Sequence, residues 1–204
     1  MNTVIVDNEN IVPSKIVCVG RNYVEHIKEL NNEIPTSMVL FMKPNSAISD
    51  DLMTHNKELH YEGEISFTIK NHKISAVGFG LDLTNRTLQS DLKKKGLPWE
   101  RAKSFDGAGV FSEFVSVSED DINRLSLKLF INDKLAQIGG VELMIYAPTV
   151  VIEEIETFST LEDGDIVMSG TPKGVGTFKK GDEFRGEIYL DDERIIYKSW
   201  IAIA

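Results

Sequence analysis

The 204-residue chain predicts a mainly β, α+β fold: a sandwich, roll or barrel-like core with helices at its periphery. Three observations lead there. Strand-like alternation dominates, with about ten strand segments against about three short helices. The strands do not interleave regularly with helices, which argues against a doubly wound parallel sheet. Asn132-Asp133 stands between two alternating runs as a hairpin turn.

Taken in order, residues 15–20 read as a short buried strand ended by Gly20, and 21–30 as a short helix closed by Asn31, Asn32 and Pro35. Residues 31–37 are polar and aperiodic, a loop placed to act as a lid. An apolar strand at 38–42 runs into Lys43-Pro44. Two longer strands follow, 60–69 and 74–83. A helix from Thr84 to about Lys95 ends at Gly96, and Lys93, Lys94 and Lys95 suit its C-terminal dipole better than a binding patch. Beyond the turn at Gly107, Ala108 and Gly109, strands are expected at 111–117, 125–132 and 134–138. Residues 148–157 read as a helix with Val151, Ile152, Ile155 and Phe158 on its apolar side. A turn at 161–165 enters a strand at 166–169, whose end carries the glycine-rich loop 170–176. That loop lacks the order of a nucleotide P-loop and precedes no helix, so a nucleotide site is rejected. Strands at 182–190 and 194–203 finish the chain. Without repeats or a linker, residues 1–204 are expected to form one domain.

Charge and cysteine usage narrow the function. The formal charge of -10 disfavours nucleic acid and anionic membranes as partners, and leaves room for carboxylates that a cation neutralises. Cys18 is the sole cysteine; it lies in an apolar run and reads as a buried, inert thiol in a reducing compartment. No basic-then-apolar leader and no long apolar run is seen, so a cytoplasmic protein is expected.

The chemistry centres on His60-Tyr61-Glu62-Gly63-Glu64. Along a strand, Glu62 and Glu64 project from one side, one pleat apart, close enough to share a hard cation such as Mg²⁺ or Mn²⁺. The alternative is the wet face of an amphipathic strand. Asp82 is the natural third ligand, on a strand face otherwise held by Ala76, Gly78 and Gly80, whose glycines would clear room beside it. Its competing role is the N-cap of the next helix. His26 and Glu29, three apart on a helix, are either a surface pair or an imidazole oriented by a carboxylate. His55 and His72 read as surface residues.

In this order the segments resemble the fumarylacetoacetate hydrolase family. The resemblance is carried by Val19-Gly20-Arg21-Asn22-Tyr23 with His26 and Glu29, by Phe41-Met42-Lys43-Pro44, by His60 to Glu64 and by Asp82 with Arg86 and Gln89. Lys103-Ser104-Phe105-Asp106, Gln137, Gly164-Asp165 and the Gly170-Thr171-Pro172 loop complete it. It implies the mixed β-sandwich roll of that family's C-terminal domain, a homodimer, and a divalent metal on Glu62, Glu64 and Asp82: Mg²⁺ or Mn²⁺, with Ca²⁺ as a stand-in in crystals. It further implies a small 2-oxo-acid substrate contacted by Arg21, Arg86, Lys103 and Thr171. His26 and Glu29 look like the acylpyruvase and oxaloacetate decarboxylase branch, with Lys103 as the third catalytic group. The implied reaction is hydrolysis of a C–C bond in acylpyruvate-type 2,4-dioxo acids through a pyruvate enolate. Oxaloacetate decarboxylation or tautomerisation, or isomerisation of a 2-hydroxy-diene-dioate, is the alternative on the same centre. Leu81, Val110-Phe111-Ser112-Glu113 and Gly139 to Glu142 depart from the family pattern and bear on the walls around the substrate's distal end.

Overall fold

The computed structural model describes residues 1–204 apart from Asn31, Asn32, Ile34 and Asn56. In chain order its strands are β1 (Val4–Val6), β2 (Glu9–Ile11), β3 (Lys15–Gly20), β4 (Val39–Pro44), β5 (Ile48–Ser49), β6 (His60–Tyr61), β7 (Gly63–Lys70) and β8 (Lys73–Asp82). They continue as β9 (Gly109–Phe111), β10 (Val115–Ser116), β11 (Leu125–Ile131), β12 (Lys134–Gly140), β13 (Ile166–Met168), β14 (Gly176–Thr177), β15 (Glu183–Leu190) and β16 (Glu193–Ile201). The α-helices are α1 (Val24–Glu29), α2 (Arg86–Lys94), α3 (Glu100–Lys103) and α4 (Pro148–Glu156). Strands outnumber the expectation because several are only two or three residues long, too short to show alternation. The β1–β2 hairpin, turned by Asp7 and Asn8 at φ 47° and 69°, is the clearest case.

One sheet runs β4-β3-β13-β7-β8-β9-β5, with β10 added beside β8; a second runs β12-β11-β15-β16. Most neighbours are antiparallel, but β13 pairs parallel with β3, and β5 with β9. The mainly β architecture expected from the alternation is what forms, and its mixed pairing agrees with the roll that the family resemblance implies.

The two sheets close on a shared core. Phe67 and Phe79 from the first meet Leu129, Phe184 and Trp200 from the second, and each such side chain contributes about 1.5–3 kcal/mol when fully buried. The other face of the first sheet is also covered, by a second cluster that includes Ile16, Cys18, Phe111, Phe114 and Met168. A sheet covered on both faces has no wet side. Glu62, Glu64, Ser66 and Thr68 are all buried, so the solvated-strand reading fails.

Two local expectations are corrected. The glycines of β8 do not clear room for a ligand: a Cβ at Gly78 would stand 2.7 Å from the Phe114 ring, and one at Gly80 2.3 Å from Ser66 Oγ. They admit the second core instead. In α4, Val151, Ile152 and Ile155 are buried as expected, but the helix stops at Glu156 and leaves Phe158 58% exposed.

Candidate metal centre and substrate cleft

The β7–β8 ladder assembles the carboxylates. Its register sets Glu64 opposite Gly80 and Gly63 opposite Leu81, and the Asp82 N–H donates to the Glu62 carbonyl at 2.8 Å. Glu62 and Asp82 therefore face one another, with Glu64 on the same side one pleat back. One carboxylate oxygen from each lies within 4.8 Å of the others, and all three residues are buried. Gly63 between them is closely packed: a Cβ there would come to 3.0 Å from both Gln137 Oε1 and the Phe79 ring. Asp82 is not a helix cap. Asn85 is, its side chain accepting from Leu88 N at 3.1 Å.

Cations from three other elements enter this cluster. Lys103, the last residue of α3, donates to Glu62 Oε2 at 2.7 Å, Asp82 Oδ2 at 2.6 Å and Thr84 Oγ1 at 2.6 Å. Arg86 on the first turn of α2 holds Glu62 Oε1 and reaches Gln89 Oε1 at 2.7 Å. Lys43 from β4, wholly buried, sits 2.8 Å from Asp82 Oδ1 and donates to the Lys103 carbonyl. Among the described residues Glu64 has no cation of its own, and its Oε2 accepts only from Gly170 N, at 2.7 Å.

The electrostatics follow. Burial opposes ionisation of Glu62, but Lys103, Arg86 and His26 outweigh it and hold that carboxyl well below the usual range. Burial, then Asp82 and Glu62, push Glu64 well above it. Burial opposes the charge on Lys103 too, yet Asp82 and Glu62 prevail and raise its pKa. The cluster is thus short of positive charge at Glu64. Asp82 Oδ1, buried and near Lys43, receives no directed hydrogen bond. An all-oxygen donor set in which, among the described residues, one carboxylate lacks a cation fits a hard divalent ion.

Glu62, Glu64 and Asp82 line a cleft of about 440 Å³, counting its solvent-open part, together with His26, Lys103 and Thr171. Arg21 and Arg86 line it as well. His26 Nδ1 lies 3.1 Å from Glu29 Oε2, and Glu29 Oε1 accepts from Gly174 N at 2.9 Å, tying α1 to the glycine-rich loop. Arg21 adopts φ 61°, a left-handed conformation costly for a side chain of its size, as residues held for function often do. Next to it Asn22 fastens the segment by donating to Tyr146 O at 3.0 Å and Ser169 O at 2.8 Å. The Thr171 hydroxyl lies 2.9 Å from Gly63 O and 2.8 Å from Gln137 Nε2, so its proton is already engaged by protein.

All nine sequence-derived site residues except Glu29 line the cleft, and Glu29 touches it through His26. Lys43 and Lys93 were missed as site residues. A lysine that directly follows the apolar run Val39 to Met42 within the same strand is the signal that could have found the first. For the second, the signal is the i, i+3, i+7 spacing of Arg86, Gln89 and Lys93 along α2; Lys93 lines the cleft rather than only ending a helix. His55 is not a plain surface residue, since its ring packs edge-on to Phe105 at 5.5 Å and its Nε2 is buried. His72 is exposed, as expected. The expected lid includes Asn31, Asn32 and Ile34, outside the described residues.

Among the described residues no helix is long and apolar enough to cross a membrane. The chain is 36% identical over 191 residues to the mitochondrial oxaloacetate tautomerase of Bos taurus, covering 85% of this chain and 86% of that protein. It is 37% identical over 188 residues to the oxaloacetate tautomerase of Escherichia coli, covering 83% and 86%. A candidate fumarylacetoacetate isomerase/hydrolase from Oleispira antarctica has the same architecture, with a TM-score of 0.92 and 37% identity over the whole of both chains. A fumarylpyruvate hydrolase from Pseudomonas aeruginosa, solved with Mn²⁺ and pyruvate, shares the fold at a TM-score of 0.89 and 23% identity, covering 99% of this chain and 95% of that one. The fumarylacetoacetate hydrolase C-terminal model matches residues 15–196, a span that holds every strand of the metal-competent cluster and every wall of its cleft. The chain is an enzyme of the fumarylacetoacetate hydrolase family.

Proposed function

We propose that this chain interconverts the keto and enol forms of an oxaloacetate-type 2-oxo acid. The observation that carries the reading is that His26, Lys103 and the three carboxylates line one cleft. With Glu29 Oε2 on Nδ1, the imidazole keeps that nitrogen protonated and offers Nε2 as the acceptor. His26 takes a proton from C3, the C–H electron pair forms the C2–C3 double bond, and the 2-oxo oxygen gains the electrons of the C=O π bond. Returning the proton to that oxygen completes the enol and regenerates the base. Lys103 and Arg86, both engaged with Glu62, set positive charge beside the anionic end of the substrate. A divalent ion on Glu62, Glu64 and Asp82, Mg²⁺ or Mn²⁺, supplies Lewis-acid stabilisation of the developing oxygen charge when bound. The names of the bovine and bacterial relatives support this choice of reaction.

Hydrolysis of acylpyruvates, the sequence-based expectation, remains a second reading. The same His26–Glu29 pair favours it, because a base directed at water instead of C3–H would cleave C3–C4. Decay of enol-oxaloacetate absorbance and loss of acetylpyruvate, followed on one preparation with Mg²⁺ or Mn²⁺, separate the two. Faster acetylpyruvate cleavage than oxaloacetate tautomerisation would overturn the tautomerase reading. A homodimer belongs to the same proposal, supported by Leu135 and Ile138, both more than half exposed on edge strand β12; sedimentation equilibrium tests it. So does a cytoplasmic setting, supported by the buried free thiol of Cys18 and tested by cell fractionation.

A further inference from the structure

Helix α2 turns one polar face to the cleft: Arg86, Gln89 and Lys93, one and two turns apart. The first two are engaged with each other, and Arg86 also with Glu62. Lys93 lies roughly 10 Å further along the helix axis than Arg86. Its Nζ sits over the Trp99 ring, 4.5 Å from the centroid. Among the described residues no carboxylate forms an ion pair with it. The next two lysines, Lys94 and Lys95, are exposed, whereas Lys93 is half-buried and lines the cleft.

An aromatic face holds an ammonium without using its N–H donors, so those donors stay available for a ligand. Trp99 in turn packs on Phe41, with centroids 6.0 Å apart, and Lys103 Nζ lies 4.9 Å from the Phe41 ring. One aromatic wall therefore joins the ammonium at the carboxylate cluster to the ammonium at the far end. Burial, then Arg21, Arg86 and Lys103, lower the Lys93 pKa to about 8 against an opposing pull from Glu62, which leaves it cationic at neutral pH. Four cationic side chains, Arg21, Arg86, Lys93 and Lys103, line the cleft against three carboxylates. A divalent ion adds to that excess, and a ligand with one carboxylate leaves much of it unanswered.

We propose that Lys93, held over Trp99, binds the second carboxylate of the substrate, so that the cleft selects 2-oxo dicarboxylates over 2-oxo monocarboxylates. The inference rests on reading the cleft as a 2-oxo-acid site, but its test does not depend on turnover. Lactate and malate are 2-hydroxy acids that cannot react by this route and differ by one carboxylate. Calorimetry on the full chain, at saturating Mg²⁺ and neutral pH, gives their dissociation constants. The wild type is expected to bind malate at least about tenfold more tightly than lactate, the worth of one charge-assisted contact. Lys93→Met should bring that ratio close to one, Lys93→Gln should do the same, and Lys93→Arg should keep most of the preference. A wild type without preference for malate, or a ratio unchanged in both neutral variants, overturns the proposal. A malate preference that depends on Lys93 supports it even if oxaloacetate is not tautomerised, in which case the reaction reading fails and the subsite stands.

Discussion

Glu62 and Asp82 are locked face to face by a backbone hydrogen bond of 2.8 Å from Asp82 N to Glu62 O. The closeness of their carboxylates is therefore set by the sheet, not by side-chain choice. Glu64 joins them on the same surface with, among the described residues, a single backbone N–H as its partner. Three buried carboxylates held this way should make the metal-free protein sensitive to pH.

The folded-state pKa of Glu64 is raised well above its ordinary 4.5 by burial and by Asp82 and Glu62. Above that ordinary value the unfolded chain has released a proton that the folded chain keeps. Stability from this group is then lost as pH rises from about 4.5 towards the folded-state value. Glu62, held low, acts in the opposite sense, and its contribution is lost only as pH falls below about 4.5. Metal-free Glu64→Gln should melt above metal-free wild type at neutral pH, with the gap closing towards pH 4.5. Mg²⁺ or Mn²⁺ should raise the wild-type Tm much more than that of the variant. Thermal melts across pH with and without chelator measure both effects, and parallel curves for the two proteins would refute the account.

Lys103 bridges Glu62 and Asp82 while wholly buried. Lys103→Met leaves both carboxylates short of a partner, at a cost of about 3–5 kcal/mol in the metal-free protein. A divalent ion should recover part of that loss, because it supplies the missing positive charge. With metal saturating, kcat/KM should still fall by about 10²–10³-fold, the usual loss when a stabiliser of developing negative charge is removed. Denaturant melts and steady-state kinetics read the two effects separately. Unchanged kcat/KM would remove Lys103 from contact with the reacting molecule.

His26 and Glu29 distinguish reactions that need a base from one that does not. His26→Gln should lower tautomerisation and acylpyruvate cleavage by about 10²–10⁴-fold. Decarboxylation of oxaloacetate, which transfers no proton to a base before CO₂ leaves, should fall much less. Glu29→Gln should follow the same pattern more weakly, since it orients the ring without taking the proton. All three rates belong on one preparation at saturating metal; equal losses in all three would make His26 a binding residue.

Much of this was legible because it depends on period. Alternation placed Glu62 and Glu64 on one side of a strand and Asp82 on one face of the next, and the hairpin register then brought the two faces together. What alternation cannot report is what covers a face. The second core around Phe111, Phe114 and Met168 is built from segments distant in sequence, so alternation alone points the glycines of β8 to a ligand, whereas a Phe ring and a Ser hydroxyl fill the space beside them. Lys43 and Lys93 were missed for a related reason. Each looks ordinary in its own element, one as a strand end and one as a helix end, and each gains meaning only from a partner on another element.

The origin of the charges in the cluster also bears on the order in which the chain assembles. All three carboxylates belong to one local hairpin, whereas Lys43 and Lys103 arrive from β4 and α3. The hairpin formed alone concentrates negative charge with nothing to offset it, although contacts of short sequence separation otherwise form early. At neutral pH its closure should then wait for the two lysines, and nucleation should pass to segments without this repulsion. Refolding of the metal-free chain should therefore speed up as pH drops into the carboxylate range or as divalent ions are added. A stopped-flow refolding rate indifferent to both would mean that repulsion among the three carboxylates does not hold the hairpin back.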